Sequence, residues 1–165
     1  MRVQFLFLFV FTNLIFSQNS PLLDKISSEK IIYTEKKIHV DMMNNIYYLL
    51  GSELSKNKKL FFSDFSLGDI SNVDLFNPLK LKVWYKDYNT MVVLDNFLNE
   101  IVRVNFNNLK DLNEISHVSS SNENTMWVFD QLSMKIKKFD YIENSFVKGV
   151  EVLLKENIID MNSNY

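Results

Sequence analysis

The sequence predicts an all-β chain built from one antiparallel unit used about three times. Three observations carry this expectation. Short apolar runs alternate with a period of two, Asn-centred turns separate them, and one stretch superposes on another without a gap at a spacing of 35 residues. No window sustains the i, i+3, i+4, i+7 spacing of an ordinary amphipathic helix over a helix's length.

Taken in order, the strands announce themselves from residue 31 onward. In residues 79–85, Leu79, Leu81, Val83 and Tyr85 fall on one face and Lys80 and Lys82 on the other. In residues 134–139, Met134 and Ile136 share a face opposite Lys135 and Lys137. Residues 92–94, 101–104 and 126–129 are the short β-branched or aromatic runs that suit a pleated, half-buried surface. The apolar residues of 147–159 satisfy neither period cleanly, so this stretch is expected to be a strand followed by another strand or by a short helix.

The turns agree with the strands. The chain has only 3 glycines and 2 prolines, so Asn, Asp and Ser must make most of its turns. Asn44-Asn45, Asn89-Thr90 and Asn124-Thr125 each stand between apolar segments. Asn adopts positive φ more readily than other non-glycine residues, as tight hairpins often require.

The repeat is read by laying residues 82–106 (KVWYKDYNTMVVLDNFLNEIVRVNF) on 117–141 (HVSSSNENTMWVFDQLSMKIKKFDY). Val83 meets Val118, Asn89 Asn124, Thr90 Thr125, Met91 Met126, Val93 Val128, Asp95 Asp130 and Ile101 Ile136. Residues 37–50 join at a spacing of 45, with Asn44 on Asn89, Ile46 on Met91 and Leu49 on Leu94. Unequal spacings suit a unit of short strands with variable loops, and about 40 residues is the size of one propeller blade.

These units, above all MWVFDQLSMKIKKFD, resemble blades of secreted β-propeller repeat proteins of the NHL and WD40-like kind. In such blades a strand ends in Asp, a turn follows, and the next strand opens with apolar-basic alternation. No WD dipeptide or GH signature is present. The resemblance covers roughly residues 31–154 and implies an incomplete, open or truncated β-propeller preceded by a signal-peptide helix. A closed propeller has about four to eight blades, whereas this chain has room for roughly three. Open ends leave sheet faces and edges uncovered, which invites association. Three resolutions follow: a fragment of a longer propeller, a ring completed by self-association, or closure into a smaller sandwich or barrel. The ending NIIDMNSNY offers no recognisable closing strand, which favours the fragment. An oligomeric or aggregation-prone chain is expected.

Residues 1–17 read as a signal peptide: Arg2, then an apolar run over 5–16 (FLFLFVFTNLIF), then small Ser17 and polar Gln18. The run is too short to span a bilayer as a helix, which takes about 20 residues. Cleavage is expected between Ser17 and Gln18, with export to the periplasm, the outer surface or the medium and no integral membrane span afterwards. Residues 18–30 read as a linker, and 31–165 as the repeats. With no cysteine, the fold rests on burial and hydrogen bonding alone. The net charge is −2 without a basic stripe, which disfavours nucleic acid as a partner.

No P-loop, dinucleotide fingerprint or G-x-S-x-G occurs. His39 and His117 do not superpose in the repeat and read as strand-surface histidines. Asp95 and Asp130 superpose, and a ring of such carboxylates at one mouth would hold a cation by oxygen ligation. The simpler reading is that each bonds the backbone two residues on and caps its own turn. An enzyme of the propeller lactonase or lyase sort would require at least three of Asp74, Asp95, Asp130, His39 and His117 to share one metal shell. Trp127 sits in an apolar run and is expected to pack between units. Trp84, Tyr85 and Tyr88, in the more polar WYKDY, are the candidate contacts for a protein or glycan partner. Residues 56–59 (KNKK) read as a solvated loop. The expected function is a non-catalytic interaction scaffold, without a cofactor.

Overall fold

The structure, a computed structural model, describes residues 37–109 and 114–162, all within the compact unit Tyr33–Tyr165. The expected signal peptide and linker lie outside the described residues. Among the described residues, strands form three four-stranded antiparallel sheets, each paired in chain order. Sheet I contains β1 (Lys37–Val40), β2 (Ile46–Leu50), β3 (Glu53–Lys56) and β4 (Leu60–Ser63). Sheet II contains β5 (Asn72–Asp74), β6 (Leu81–Tyr85), β7 (Thr90–Leu94) and β8 (Glu100–Asn105). Sheet III contains β9 (Ile115–Ser120), β10 (Thr125–Asp130), β11 (Lys135–Asp140) and β12 (Ser145–Leu153). The sheets make an open arc, not a closed ring.

Two cores hold the arc together, and the period-two pattern decides which residue enters which. From sheet II, Leu81, Val83, Tyr85, Val92 and Leu94 face sheet I, meeting Tyr47, Leu49 and Leu54. The alternate residues Trp84, Met91, Val93 and Val104 face sheet III, meeting Val118, Met126, Val128 and Phe139. Every residue of β6 and β7 is therefore buried. Each side chain of this size stabilises the fold by about 1.5–3 kcal/mol when fully removed from water. Aromatic rings bridge the second core: Trp84 meets Phe106 edge-on at 5.9 Å, Phe106 meets Phe139 at 5.1 Å, and Phe139 meets Phe146 edge-on at 5.1 Å.

Turn chemistry explains why so few glycines suffice. Asn44, Asn89 and Asn144 take positive φ (61°, 49° and 49°), as do Leu98 (66°), Glu123 (54°) and Met134 (54°). Two turns share a carboxylate clamp. Asp41 Oδ1 accepts from the amides of Met43 and Asn45, and its Oδ2 from the Asn45 side chain. Asp95 does the same with Phe97 and Asn99. The clamp D-x-x-x-N holds the left-handed residue before the Asn in place, which is how a buried Leu98 tolerates φ of 66°.

The internal repeat is out of phase with the sheets. It lays β6, β7 and β8 on β9, β10 and β11, yet β6 is the second strand of its sheet and β9 the first. Successive hairpins of an antiparallel meander look alike because each repeats the same turn and alternation, so a one-strand slip preserves the match. Register gives the true equivalence. Leu49–Leu54–Phe62, Trp84–Met91–Val104 and Phe129–Ile136–Val152 are matching cross-strand rows on the same face of the three sheets. The stretch 147–159 also differs from expectation: β12 runs to Leu153, and residues 154–162 contain no further strand or helix.

Glu123 is exposed, holds a left-handed φ, and contributes to tertiary structure through its backbone carbonyl, which accepts from the Tyr141 hydroxyl. Glu123→Gly retains that carbonyl and relieves the backbone. It is expected to stabilise the protein by about 0.5–1 kcal/mol in chemical denaturation.

Candidate functional site: the groove between the first strands

The first strand of each sheet lies toward a common groove of about 460 Å³, lined by His39, Asp41, Asp74, Phe76, Val118 and the tail residue Met161, among others. The ends of β1 and β5 both reach it, and the Ser120 amide at the end of β9 donates to Asp74 Oδ2. The three strands therefore point the same way. This convergence is where first-strand ends of the arc share one concave surface.

Its ionisable groups are largely committed to holding the fold. Asp74 Oδ1 accepts from the Phe76 amide while its Oδ2 bolts sheet II to sheet III through Ser120. Asp41 is buried, which raises its pKa, but the Asn45 side chain and amide, the Tyr47 hydroxyl and the Met43 amide outweigh burial and hold it below the usual carboxylate range. Tyr47 donates to Asp41 Oδ2 at 3.1 Å, and burial together with that carboxylate pushes the phenol far up. Behind the groove, Lys82 is 2% exposed and donates to Ser120 Oγ at 2.7 Å. Burial lowers its pKa, opposed by the Asp74 charge, with Lys80 adding to the lowering.

His39 differs from these groups. Its Nε2 is buried without a hydrogen-bond partner among the described residues. Desolvation lowers its pKa, and the Lys37 charge lowers it further. A neutral imidazole at the groove wall can donate or accept one hydrogen bond to a polar ligand. His117, by contrast, is fully engaged: Nδ1 lies 3.0 Å from Ser116 Oγ and Nε2 lies 3.1 Å from the Ile159 carbonyl. Since a carbonyl can only accept, Nε2 donates to Ile159.

The candidate ring of carboxylates does not form from Asp95 and Asp130. Asp95 follows the third strand of sheet II, whereas Asp130 ends the second strand of sheet III. Because strands alternate direction, the two turns lie at opposite ends of their sheets. Each accepts from the amide two residues on, Phe97 and Leu132 respectively. Asp130 further pairs with Lys137 at 2.6 Å and with Ser133. Burial raises its pKa, but the Lys137 ammonium, the Ser133 hydroxyl and the Glu114 amide prevail and lower it. Among the described residues, no three His, Asp or Glu side chains gather closely enough to hold a metal.

The candidate contact residues separate. Trp84 is 2% exposed and packs in the core between sheets II and III. Tyr85 is fully buried between sheets I and II, its phenol pushed up to about 12 by burial first and by the Asp64 charge second. Both are corrections to a surface role: Trp84 and Tyr85 point to opposite faces of β6, and each face is covered by a neighbouring sheet. Tyr88, in the turn after β6, is 48% exposed and remains available. Trp127 also differs from expectation, being half-buried on the outer face of sheet III rather than packed between sheets.

Two residues that matter were not singled out from sequence. Lys56 read as part of a solvated run, but it ends β3, is buried, and donates to the Asn96 carbonyl of sheet II at 2.9 Å. Lys82 lies on the strand face opposite Leu81 and Val83, as the alternation predicts, and that face is covered by sheet III. Alternation on a strand buried on both faces marks which neighbour a residue meets, not whether it meets water.

Two pH-linked outcomes follow. Asp130→Asn is expected to destabilise the fold by about 3 kcal/mol at neutral pH, since Lys137 loses its buried partner. The wild-type contribution is present above the unfolded carboxylate pKa near 4 and is lost as pH falls through the lower folded value, so the two denaturation curves should converge in acid. For His39 the folded pKa is depressed, so the folded state binds fewer protons. Stability is then lost as pH falls below the ordinary value of 6.5. Thermal melts of His39→Gln should show a flatter slope through that range than wild type.

No protein-family model matches the chain, and no curated protein matches it. Solved structures do. The structure of apo AztD from Citrobacter koseri is similar with a TM-score of 0.52 and 12% identity, over 74% of this chain and 35% of that one. A streptogramin B lyase gives a TM-score of 0.46 and 13% identity, over 72% of this chain and 40% of the lyase. The chain thus spans about a third of the length of the first and two-fifths of the second. AztD is a propeller-type protein, and at 12% identity the likeness to it concerns fold alone. The three sheets are propeller-like blades in an open arc.

Proposed function

We propose that the chain is an exported, non-catalytic interaction module, an arc of three blades that binds a protein or glycan partner through blade surfaces the arc leaves open. The observation that carries this reading is the outer face of blade 3. In blades 1 and 2 the rows Leu49–Leu54–Phe62 and Trp84–Met91–Val104 lie in the cores, against the following blade. The matching row in blade 3 is Phe129–Ile136–Val152, in which Phe129 is buried, Ile136 half-buried and Val152 56% exposed. Beside it stands half-buried Trp127. The outer-strand part of a sheet face with the composition used for blade packing is thus presented outward, which marks an interaction surface. The charged, apolar and small-residue order of residues 1–17 supports export, and Tyr88 offers a second contact point.

The test is chemical crosslinking of the full chain in its native compartment, comparing wild type with Val152→Asp, whose fold is checked by circular dichroism. A discrete adduct on a chain that begins near Gln18, lost in Val152→Asp, is the expected result. An adduct pattern unchanged by the substitution rejects the blade 3 surface as the binding face. Full-length chain recovered with the cytoplasmic fraction rejects export.

A further inference from the structure

The open face of blade 3 carries a second feature, and blade 1 shows what it is for. On β3, Lys56 stands opposite Tyr47 of β2, with its ammonium 5.6 Å from the Tyr47 ring centroid. On β11, Lys138 stands opposite Trp127 of β10, with its ammonium 5.6 Å from the Trp127 ring centroid. The two pairs occupy the same place: third strand against second, one row from Leu49–Leu54 in blade 1 and from Phe129–Ile136 in blade 3.

In blade 1 this lysine–aromatic pair is sealed by the next blade. The turn between β7 and β8 comes over it, the Asn96 carbonyl accepts from Lys56 Nζ at 2.9 Å, and Leu98 of the same turn enters the core. Asp95 opens that turn. Its carboxyl is held low chiefly by Asn99, then by the Phe97 amide, with the Lys56 charge adding to the effect. Blade 2 also sends a lysine forward, Lys82 to Ser120 Oγ of blade 3. Both internal junctions of the arc are therefore crossed by an ammonium that finds an oxygen on the following blade.

On blade 3 nothing among the described residues covers the pair in that way. Lys138 donates to Asn122 Oδ1 of its own blade at 2.7 Å. Trp127, Ile136, Lys138, Val152 and the tail residue Met161 line a cleft of about 700 Å³. The tail reaches the inner strand, where the Ile159 carbonyl meets His117. It leaves the outer-strand residue Val152 exposed.

We propose that this face docks a partner β-sheet with an apolar surface and an acidic turn, delivering a backbone carbonyl to Lys138 with a carboxylate next to it in sequence, as blade 2 brings the Asn96 carbonyl, in the turn that Asp95 opens, to Lys56. The proposal rests on the interaction-module reading and specifies its partner. Charge selects against a second copy of this chain. The face of blade 1 turned away from blade 2 carries exposed Ile38, Val40 and Phe61 beside buried Tyr48 and Ser55, and the exposed three suit the apolar part. Its turn between β3 and β4, however, is Asn57-Lys58-Lys59, which would bring two further ammonium groups to Lys138. Like charges in a desolvated contact oppose association.

The experiment appends residues 72–105, a copy of blade 2, to the full chain, so that a sheet of the stated chemistry is supplied at blade 3. The copy carries Trp84→Phe so that Trp127 reports on docking, the resident Trp84 being buried already. The expected result is a blue shift of Trp127 emission and loss of acrylamide quenching relative to the parent. Lys138→Met and Asp95→Asn within the copy should each reverse part of that shift, with the double variant no worse than the stronger single one. Trp127 emission unchanged by the appended blade overturns the proposal. So does a shift that neither Lys138→Met nor the copied Asp95→Asn affects, which would leave an apolar face without the charge selection. Sedimentation of the parent chain supplies the remaining arm. A monomer, or weak association strengthened by Lys58→Glu, supports the proposal, whereas a stable wild-type dimer that shields Trp127 overturns it in favour of a second copy. Loss of the crosslinked adduct in Val152→Asp but not in Lys138→Met would retain the interaction module and remove the acidic-turn partner.

Discussion

Everything in this molecule depends on one constraint: a β-sheet of four short strands cannot bury both faces by itself. A strand of four to six residues offers two or three side chains to each face, too few to build a core without a second layer. Sheet II solves this by lying between two others, and its β6 and β7 are apolar or nearly so on both sides. Among the described residues, sheets I and III each pack one face on sheet II and carry exposed apolar side chains on the other, Phe61 on sheet I and Val152 on sheet III. The arc is the consequence, and its chemistry is concentrated at the junctions between sheets rather than in any constellation of acids and bases.

The junctions are not purely apolar, and their polar members explain much of the electrostatics. Buried ammonium groups are costly unless each finds an acceptor. Lys56 and Lys82 find theirs on the neighbouring sheet, so each fixes the distance and rotation between layers in a way that interchangeable Leu and Val contacts would not. Asp74 does the same from the other direction by accepting from Ser120. The groove between the first strands is thus walled by groups whose lone pairs and protons are mostly engaged, with His39 as the exception.

The class of fold and the number of units were legible in the sequence because they rest on local signals, the alternation of side chains and the turn-forming Asn and Asp residues. The phase of the repeat was not. A hairpin match cannot distinguish the first and second strands of a sheet from the second and third, since both carry the same turn grammar. The clamp shared by Asp41–Asn45 and Asp95–Asn99 was a better marker than the Asn-Thr-Met match, because it specifies a turn geometry. The burial of Trp84, Tyr85 and Lys82 is not legible in the sequence for a related reason. In a strand covered on both faces, polarity reports which neighbour a side chain meets, and only the layer order reveals that. Tyr88, beyond the end of β6, escapes this rule and is exposed. The outward face of sheet III was likewise invisible beforehand: Trp127 and Ile136 have the composition of a core, and exposure is a property of what lies beside them.

The layered order has a kinetic meaning as well. Strands pair only with sequence neighbours, so each sheet closes through short loops before any packing between layers is required. Once assembled, the outer layers can open from one side, whereas the middle one can open only after a neighbour has left. The amides of β6 and β7 should therefore form the slowest-exchanging segment of the backbone. Strand β12, at the rim, should exchange early. The arc would then behave as a short linear array with its most protected segment at the centre, loosening from its two ends inward.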